Sequence, residues 1–563
     1  MNAQDIPGSY KQSSRGKKAA TLFLLVPFLL MLNPRSALGQ GLKMTQEHMP
    51  GSQNGTTVPT GVNTSQAVVG SYGDSEGDRW GFSHIGGKFA TIAPPTAYTF
   101  ARANGINDSN EIVGDFLTGD GRYHGFTYSG GIYATYDEDT TESCGIFGVN
   151  NAGDFVGDVG NSGGPIKGFI KLVNQDPIAF QASGKDTTYA YGINSTGEVV
   201  GEYFDSSGNA HGFSRSPSGT ITEIAYPGAT QTAALGINDA GEITGTYTNT
   251  SNQTYGFTYI KGKYAATDFA STYGVNSKGA YVGYYLGVPD ATPSGYLATP
   301  QTFKLSTVKV PGNQQAQLSG VNNSGVSVGS YVASDGKPHG MMISAGKINN
   351  IDDPTGVSTS CTGINTSGQI VGYYTDSSGN PHGFEYTSGK FTDIPGPSGA
   401  IVSAAFGIND SGTIVGLYVD GTTFTLYGFM LTGTKYKVLN VKGSHGSIAF
   451  GINNVGLVTV DSTDAAGYTE SWLYDGTKYT AINVPGAATI KAAGINTAGD
   501  IVYIVSDPFG VTHAALKSGK NYYIFDDPKG SNTQAGGIND SNLIVGSYNP
   551  AGKTVPEPFR GTE

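Results

Sequence analysis

The phrase Gly-Ile-Asn or Gly-Val-Asn occurs twelve times along the chain, beginning at Gly61, Gly105, Gly148, Gly192, Gly236, Gly274, Gly320, Gly363, Gly407, Gly451, Gly494 and Gly537. Ten of the eleven intervals between these glycines are 43–46 residues and one is 38. A fixed period of that length marks a repeat architecture. Each module then packs only on its neighbours, so a chain of 563 residues needs no single large core. A body of near-identical modules is a scaffold, and function must be sought where the copies differ.

One copy, Pro227–Phe269, reads PGATQTAALGIN, DAG, EITGTY, NTSNQT, YGFTYI, KG, KYAATDF. Runs of strand formers separated by turn residues predict a four-stranded antiparallel meander, strands A to D. Counting the motif glycine as the first, the sixth residue is Gly in nine copies, Asn110 and Asn542 in two and Gln66 in one. The A–B hairpin therefore asks for a left-handed residue there. The motif Asn, present in every copy, suits an Asx-turn. Ten copies place a second glycine nine residues after the first, with Thr459 and Tyr503 standing in its place in two late repeats. A glycine inside a strand implies a bend or a close neighbour. Strand C carries His-Gly-Phe, as at His211–Phe213, and strand D commonly ends before Pro-Gly, as at Ile394-Pro395-Gly396.

A four-stranded module of this size is the blade of a β-propeller, so the expected fold is all-β, with about twelve antiparallel blades and strand A innermost. A parallel β-helix has shorter coils, and sandwich domains need about 100 residues each. Twelve blades exceed the usual number of about four to eight, which favours two six-bladed rings over one large ring. The last repeat ends without a strand D, and Lys43–Gly51 matches Lys478–Gly486 in spacing. The N-terminal segment is thus expected to complete the last blade and remove its open edge.

Lys11, Arg15, Lys17 and Lys18 precede the apolar run Ala19–Leu32, and Ala37-Leu38-Gly39 follows. This is the three-part signal-peptide pattern, and the apolar run is short for a membrane span. The mature chain is expected to be secreted, extracellular or at the cell surface, with no membrane span. The division is then a signal peptide over 1–39, a segment 40–60 supplying a closing strand, repeats one to six over 61–319, and repeats seven to twelve over 320–563. A net charge of −12 argues against a nucleic-acid partner, which needs a basic face. Cys144 and Cys361 sit at different places in non-adjacent repeats and are expected to be free thiols.

The combination Gly-Ile-Asn-x-x-Gly-x-Ile-Val-Gly-x-Tyr with His-Gly-Phe resembles the bacterial HAF extracellular repeat family. The resemblance covers nearly all of residues 41–563 and is nearest at Gly192–Phe213 and Gly363–Phe384. It implies a secreted or surface repeat protein.

No zinc, P-loop or nucleophile-elbow motif is present. His124, His211, His339, His382 and His513 share one slot, nineteen residues after the motif glycine, which Trp80 and Tyr255 fill elsewhere. A slot for an amphipathic ring reads as packing. Carboxylates are the better ligand candidates. Asp137, Glu138, Asp139 and Glu142 form an acidic run between strands D and A, a calcium candidate weighed against a solvated loop. No other cofactor and no catalytic residue is indicated. Asp137–Glu142, the inserted Gly287–Pro293 and Phe424–Tyr427 are the strongest departures from the repeat, and loops are where binding is expected. The reading is a non-catalytic binding or adhesion module for an extracellular glycan or protein ligand. The alternatives are a structural cell-envelope or matrix protein and a propeller-type polysaccharide lyase or glycosidase.

Overall fold

The computed structural model describes residues 41–563 apart from 54, 139–140, 161–163, 183–186, 268–270, 287–292, 311–314, 466, 468, 485–486, 488 and 508–509. Its regular elements are all β-strands. The protein is a double β-propeller of twelve four-stranded antiparallel blades. Ten blades use four consecutive strands, while the sixth and twelfth each take their fourth strand from elsewhere in the chain.

The motif residues show why the blades gather in sixes. The sixth position of the motif has positive φ in every copy, including Gln66 (64°), Asn110 (61°) and Asn542 (57°). The motif Asn has two tasks. Its Oδ1 accepts its own turn's amides, as Asn63 does from Ser65 (3.1 Å) and Ala67 (2.9 Å). Its Nδ2 donates to the carbonyl of the next blade's motif Asn. Six such bonds run from Asn63 through Asn107, Asn150, Asn194 and Asn238 to Asn276, which returns to Asn63 at 2.7 Å. A second circle runs from Asn322 through Asn365, Asn409, Asn453 and Asn496 to Asn539, which returns to Asn322 at 3.0 Å. The two rings are therefore consecutive along the chain.

At the axis, side chains would collide. A Cβ on Gly148 would lie 2.6 Å from the Tyr191 carbonyl oxygen and 3.0 Å from the Gly192 Cα. The motif glycine lets six strands A approach one another. Outside this contact the residue after the motif Asn adds a clasp. Asp410 accepts from the Thr366 amide (2.8 Å) and Thr366 hydroxyl (3.0 Å) of one neighbouring blade, and exchanges bonds with Asn454 of the other. Asp540 does the same with Thr497 and Asn323, the latter across the closure.

The closing strands correct the sequence reading. Gly41–Glu47 does not complete the last blade. It pairs with the sixth blade's third strand over its whole length, Gly41 opposite Gln301 and Glu47 opposite Gly295. The last blade is completed by Lys304–Thr307, paired with Phe559–Thr562. The reason is topological. A strand D always leads into strand A of the next blade, so a segment that precedes blade one must lie on the blade beside it. In a ring of six that neighbour is blade six, and by the same rule the segment before blade seven lies on blade twelve. Lys304–Thr307, placed by motif spacing in the first half of the chain, thus belongs to the second ring.

Gly41–Glu47 also joins the rings. Its other edge pairs with the eleventh blade, Leu42 opposite Ile524 and Met44 opposite Tyr522, making one eight-stranded sheet from two blades. Met44 is fully buried in a core that draws on both rings, with Tyr296 and Ala298 from one and Ile490 and Ile524 from the other. Glu47 is buried and receives His84 Nδ1 of blade one at 2.8 Å.

Within a blade the second glycine makes room for an aromatic ring. A Cβ on Gly201 would lie 1.9 Å from the Tyr189 carbonyl oxygen and 2.8 Å from the ring of Phe213, the Phe of His-Gly-Phe. Cross-strand register puts Val460, not Thr459, at this position of blade ten, because Val460 faces Ala449 as Gly372 faces Cys361. In blade eleven the pair is inverted. Tyr503 faces Ala515, so the large ring comes from strand B and the small residue from strand C. Both of these blades carry a wider bulge in strand A, over Ala449–Ile452 and Ala492–Ile495. Cys144 and Cys361 are free and buried. Among the described residues no helix is long and apolar enough to cross a membrane.

Candidate functional site

In the second ring the residue just before the motif glycine lines the channel in every blade, and the residues three before it and ten after it do so in blades seven, eight, eleven and twelve. Their identities decide what each channel holds. In the first ring the residues just before the glycine are Thr60, Asn104, Phe147, Tyr191, Leu235 and Tyr273; in the second they are Ser319, Thr362, Phe406, Phe450, Ala493 and Gly536. The first set is bulky, and Phe147 packs edge-on against Tyr191 at 5.3 Å. The second set is small on three consecutive blades, eleven, twelve and seven.

The first ring's centre is a plug of charge and aromatic rings. Arg102 grips Asp115 with both nitrogens (3.1 and 3.0 Å), and Asn104 donates to the same carboxylate and to the Ile146 carbonyl. Tyr191 donates to Glu202 at 2.6 Å. Burial, with Asp115 nearby, pushes the Asp158 carboxyl up to about 7, and burial also raises Glu202. A carboxyl where Asp158 stands can exchange protons at neutral pH. These carboxyls are occupied by their partners, and the opening on the turn side of this ring is an Asn-lined hollow of about 60 Å³.

The second ring encloses a cavity of about 360 Å³, within the roughly 300–1,000 Å³ range of small-molecule sites. Its wall is divided. Blades eleven, twelve and seven contribute Lys491, Gln534 and Gln317, together with Ser330 and Ser547. Blades eight, nine and ten contribute Tyr373, Phe406 and Phe450. Phe406 and Phe450 lie 5.3 Å apart and Tyr373 meets Phe406 at 6.4 Å. The Lys491 ammonium sits 5.1 Å from the centre of the Phe450 ring, a cation–π contact. One half of the cavity donates and accepts hydrogen bonds while the other offers ring faces.

Beside this wall Asp461 is buried, accepting from the Ser471 hydroxyl (2.5 Å) and the Ala492 amide (3.3 Å). Burial pushes its carboxyl from 3.8 up to about 7, against the opposing pull of those bonds and of Lys491. A raised carboxyl favours the protonated form in the fold, so its stabilisation is complete below about 3.8 and is lost as pH rises through about 7. Asp461→Asn should therefore gain on the parent between these values and keep a constant lead above them. The pH-dependent lead should reach at most about 4 kcal/mol, at ~1.4 kcal/mol per unit. Thermal melts of both proteins at several pH values check this, and parallel curves would contradict it.

The acidic run falls elsewhere, on the first ring. Asp137 accepts from His124 Nδ1 at 2.7 Å, Glu138 lies 3.5 Å from the Tyr136 hydroxyl, and Asp139 is outside the described residues. Among the described residues no three of His, Cys, Asp and Glu, Glu142 included, gather as a metal site. Residues 287–292 are likewise outside the description, while Phe424 is 75% exposed with φ 55°.

The histidine slot holds more than packing. His339 stacks on Tyr331, takes Asp352 on Nδ1 (3.0 Å) and Asp335 on Nε2 (3.3 Å). His211 is held the same way by Glu223 and Asp205, and His513 by Asp526 and Asp507. Sequence reasoning missed these carboxylates although their spacing repeats: Asp205, Asp376 and Asp507 precede their histidines by six residues, and Asp137, Asp352 and Asp526 follow theirs by thirteen. It also missed the channel residues, whose only signal is the contrast between the two columns given above.

No protein-family model matches the chain, and no curated protein does. Among solved structures it is similar to the BP39L lectin from Burkholderia pseudomallei, at 12% identity over 58% of this chain and 94% of that one, TM-score 0.24. It is also similar to TolB from Acinetobacter baumannii, at 9% identity over 59% and 80%, TM-score 0.30. A third is the β-propeller domain of the Trilobed protease from Pyrococcus furiosus, at 9% identity over 60% and 96%, TM-score 0.20. These are likenesses of fold, and function must be argued from the site.

Proposed function

We propose that this chain is a secreted, non-catalytic binding protein of the HAF repeat kind, and that its second ring takes a small amphipathic ligand, a saccharide unit, into the central cavity. The divided wall carries the reading. A pyranose has C–H faces that stack on aromatic rings and hydroxyl edges that bond to amides and hydroxyls, and the cavity separates those two chemistries onto opposite arcs. The first ring, plugged at its centre, is the rigid half that anchors the pair. The leader-like sequence before residue 40 supports export, where glycans are met.

The test is to fill the cavity as the first ring is filled. Ser319→Phe with Ala493→Phe places rings at the positions held there by Thr60 and Leu235. Retention on a glycan array should be lost in the double variant, with its melting temperature within a few degrees of the parent. If the filled protein retains glycans as the parent does, the cavity is not the site. If the parent retains none, the saccharide reading falls.

A further inference from the structure

We infer that the saccharide is an acidic one, whose carboxylate is taken by Lys491; this rests on the cavity reading just given and adds the ligand's charge to it. Lys491 is the one cationic side chain among the residues lining the cavity. The lining carboxylates, Asp410 and Asp540, sit six positions away along the repeat, beside the A–B turns, where each is clasped by Thr and Asn neighbours. Asp461, the acid beside Lys491, is buried behind the wall, and burial raises its carboxyl to about 7, so that it is protonated below neutral pH and only partly ionised at neutrality. The ammonium is thus left without a full countercharge on the side that faces the cavity.

The placement of Lys491 fits this use. It is exposed into the channel from strand A, next to Gln534 on the following blade. Its contact with Phe450 fixes the ammonium at the junction of the aromatic and polar arcs. A sugar ring lying on Phe450 and Phe406 would project an edge substituent to that junction, and Gln534 and Gln317 would meet its hydroxyls. A carboxylate there gains a charge-assisted bond in a site partly withdrawn from water, whereas the hydroxymethyl of a neutral sugar gains an ordinary one.

The experiment is calorimetric titration of the full chain with galacturonate, galactose and 4-hydroxybenzoate, repeated with Lys491→Met, which keeps length and removes charge. Galacturonate should bind about tenfold or more tightly than galactose, and added salt should narrow the gap. In Lys491→Met the preference should vanish, with galacturonate losing about tenfold or more in affinity and galactose losing only the share of an ordinary hydrogen bond. Equal affinity for the two sugars, or a preference that survives Lys491→Met, overturns the inference and leaves the cavity reading standing. Binding of 4-hydroxybenzoate as tightly as galacturonate assigns Lys491 to carboxylates in general and overturns the saccharide class. If neither sugar binds, or if the cavity-filled variant binds galacturonate as the parent does, the cavity reading itself is wrong.

Discussion

Deleting residues 41–47 should lower the stability of the first ring by more than about 5 kcal/mol and split one thermal transition into two. The strand makes seven register pairs with Gly295–Gln301 and three with Tyr522–Ile524. Its loss opens the edge of blade six, leaves a hole where Met44 was fully buried, and strands His84 without Glu47. A truncated Met alone would cost about 2–5 kcal/mol, and an open edge invites pairing with other chains. The second ring, closed by Lys304–Thr307, keeps its own circle of Asn bonds and should melt near the parent temperature. Calorimetry of the deleted protein, with and without an added peptide of residues 41–49, is the measurement. A single transition at the parent temperature would show that this strand neither closes a ring nor couples two. Recovery with the peptide would follow from strand addition to the vacated edge.

How much of this could be read from the sequence depends on how local the cause is. The blade was legible because turn, Asx and alternation signals all lie within one repeat, and the left-handed position was visible even where Gln66 or Asn110 replaces glycine. The inter-blade half of the motif Asn was not, since its acceptor lies 38–44 residues away within each ring and 213 or 217 at closure. The closing strand was recognised by pattern but assigned to the wrong blade. Lys304–Gly312 has the same Lys-to-Pro-Gly spacing as Lys43–Gly51, and reading the two together would have shown two closures. The candidate site is the least local feature of all. It is assembled from single residues on six blades, and the difference between a plugged channel and an open one rests on Leu235 and Tyr273 in one column against Ala493 and Gly536 in the other. Their contrast has meaning only once the ring is known to bring them to one axis.

The second glycine offers the sharpest test of the packing itself. Gly201→Ala should destabilise the fold by at least about 3 kcal/mol, far beyond the usual cost of a surface substitution. A Cβ there would fall 1.9 Å from the Tyr189 carbonyl oxygen, which belongs to strand A, and 2.8 Å from Phe213. Two obstacles of different kind meet at one atom, and they respond differently to relief. Adding Phe213→Ala removes the ring but not the carbonyl, so the double variant should stay clearly less stable than Phe213→Ala alone. In blade eleven Tyr503 stands opposite Ala515 beside a wider bulge over Ala492–Ile495, a bulge that blade six also carries, over Thr272–Val275, with Gly283 at this position. Chemical unfolding of the parent, the two single variants and the double variant gives the coupling directly. If Gly201→Ala lies within about 0.5 kcal/mol of the parent, the strands are not held as close as the structure has them. If Phe213→Ala fully offsets the cost of the new methyl, the ring was the only obstacle.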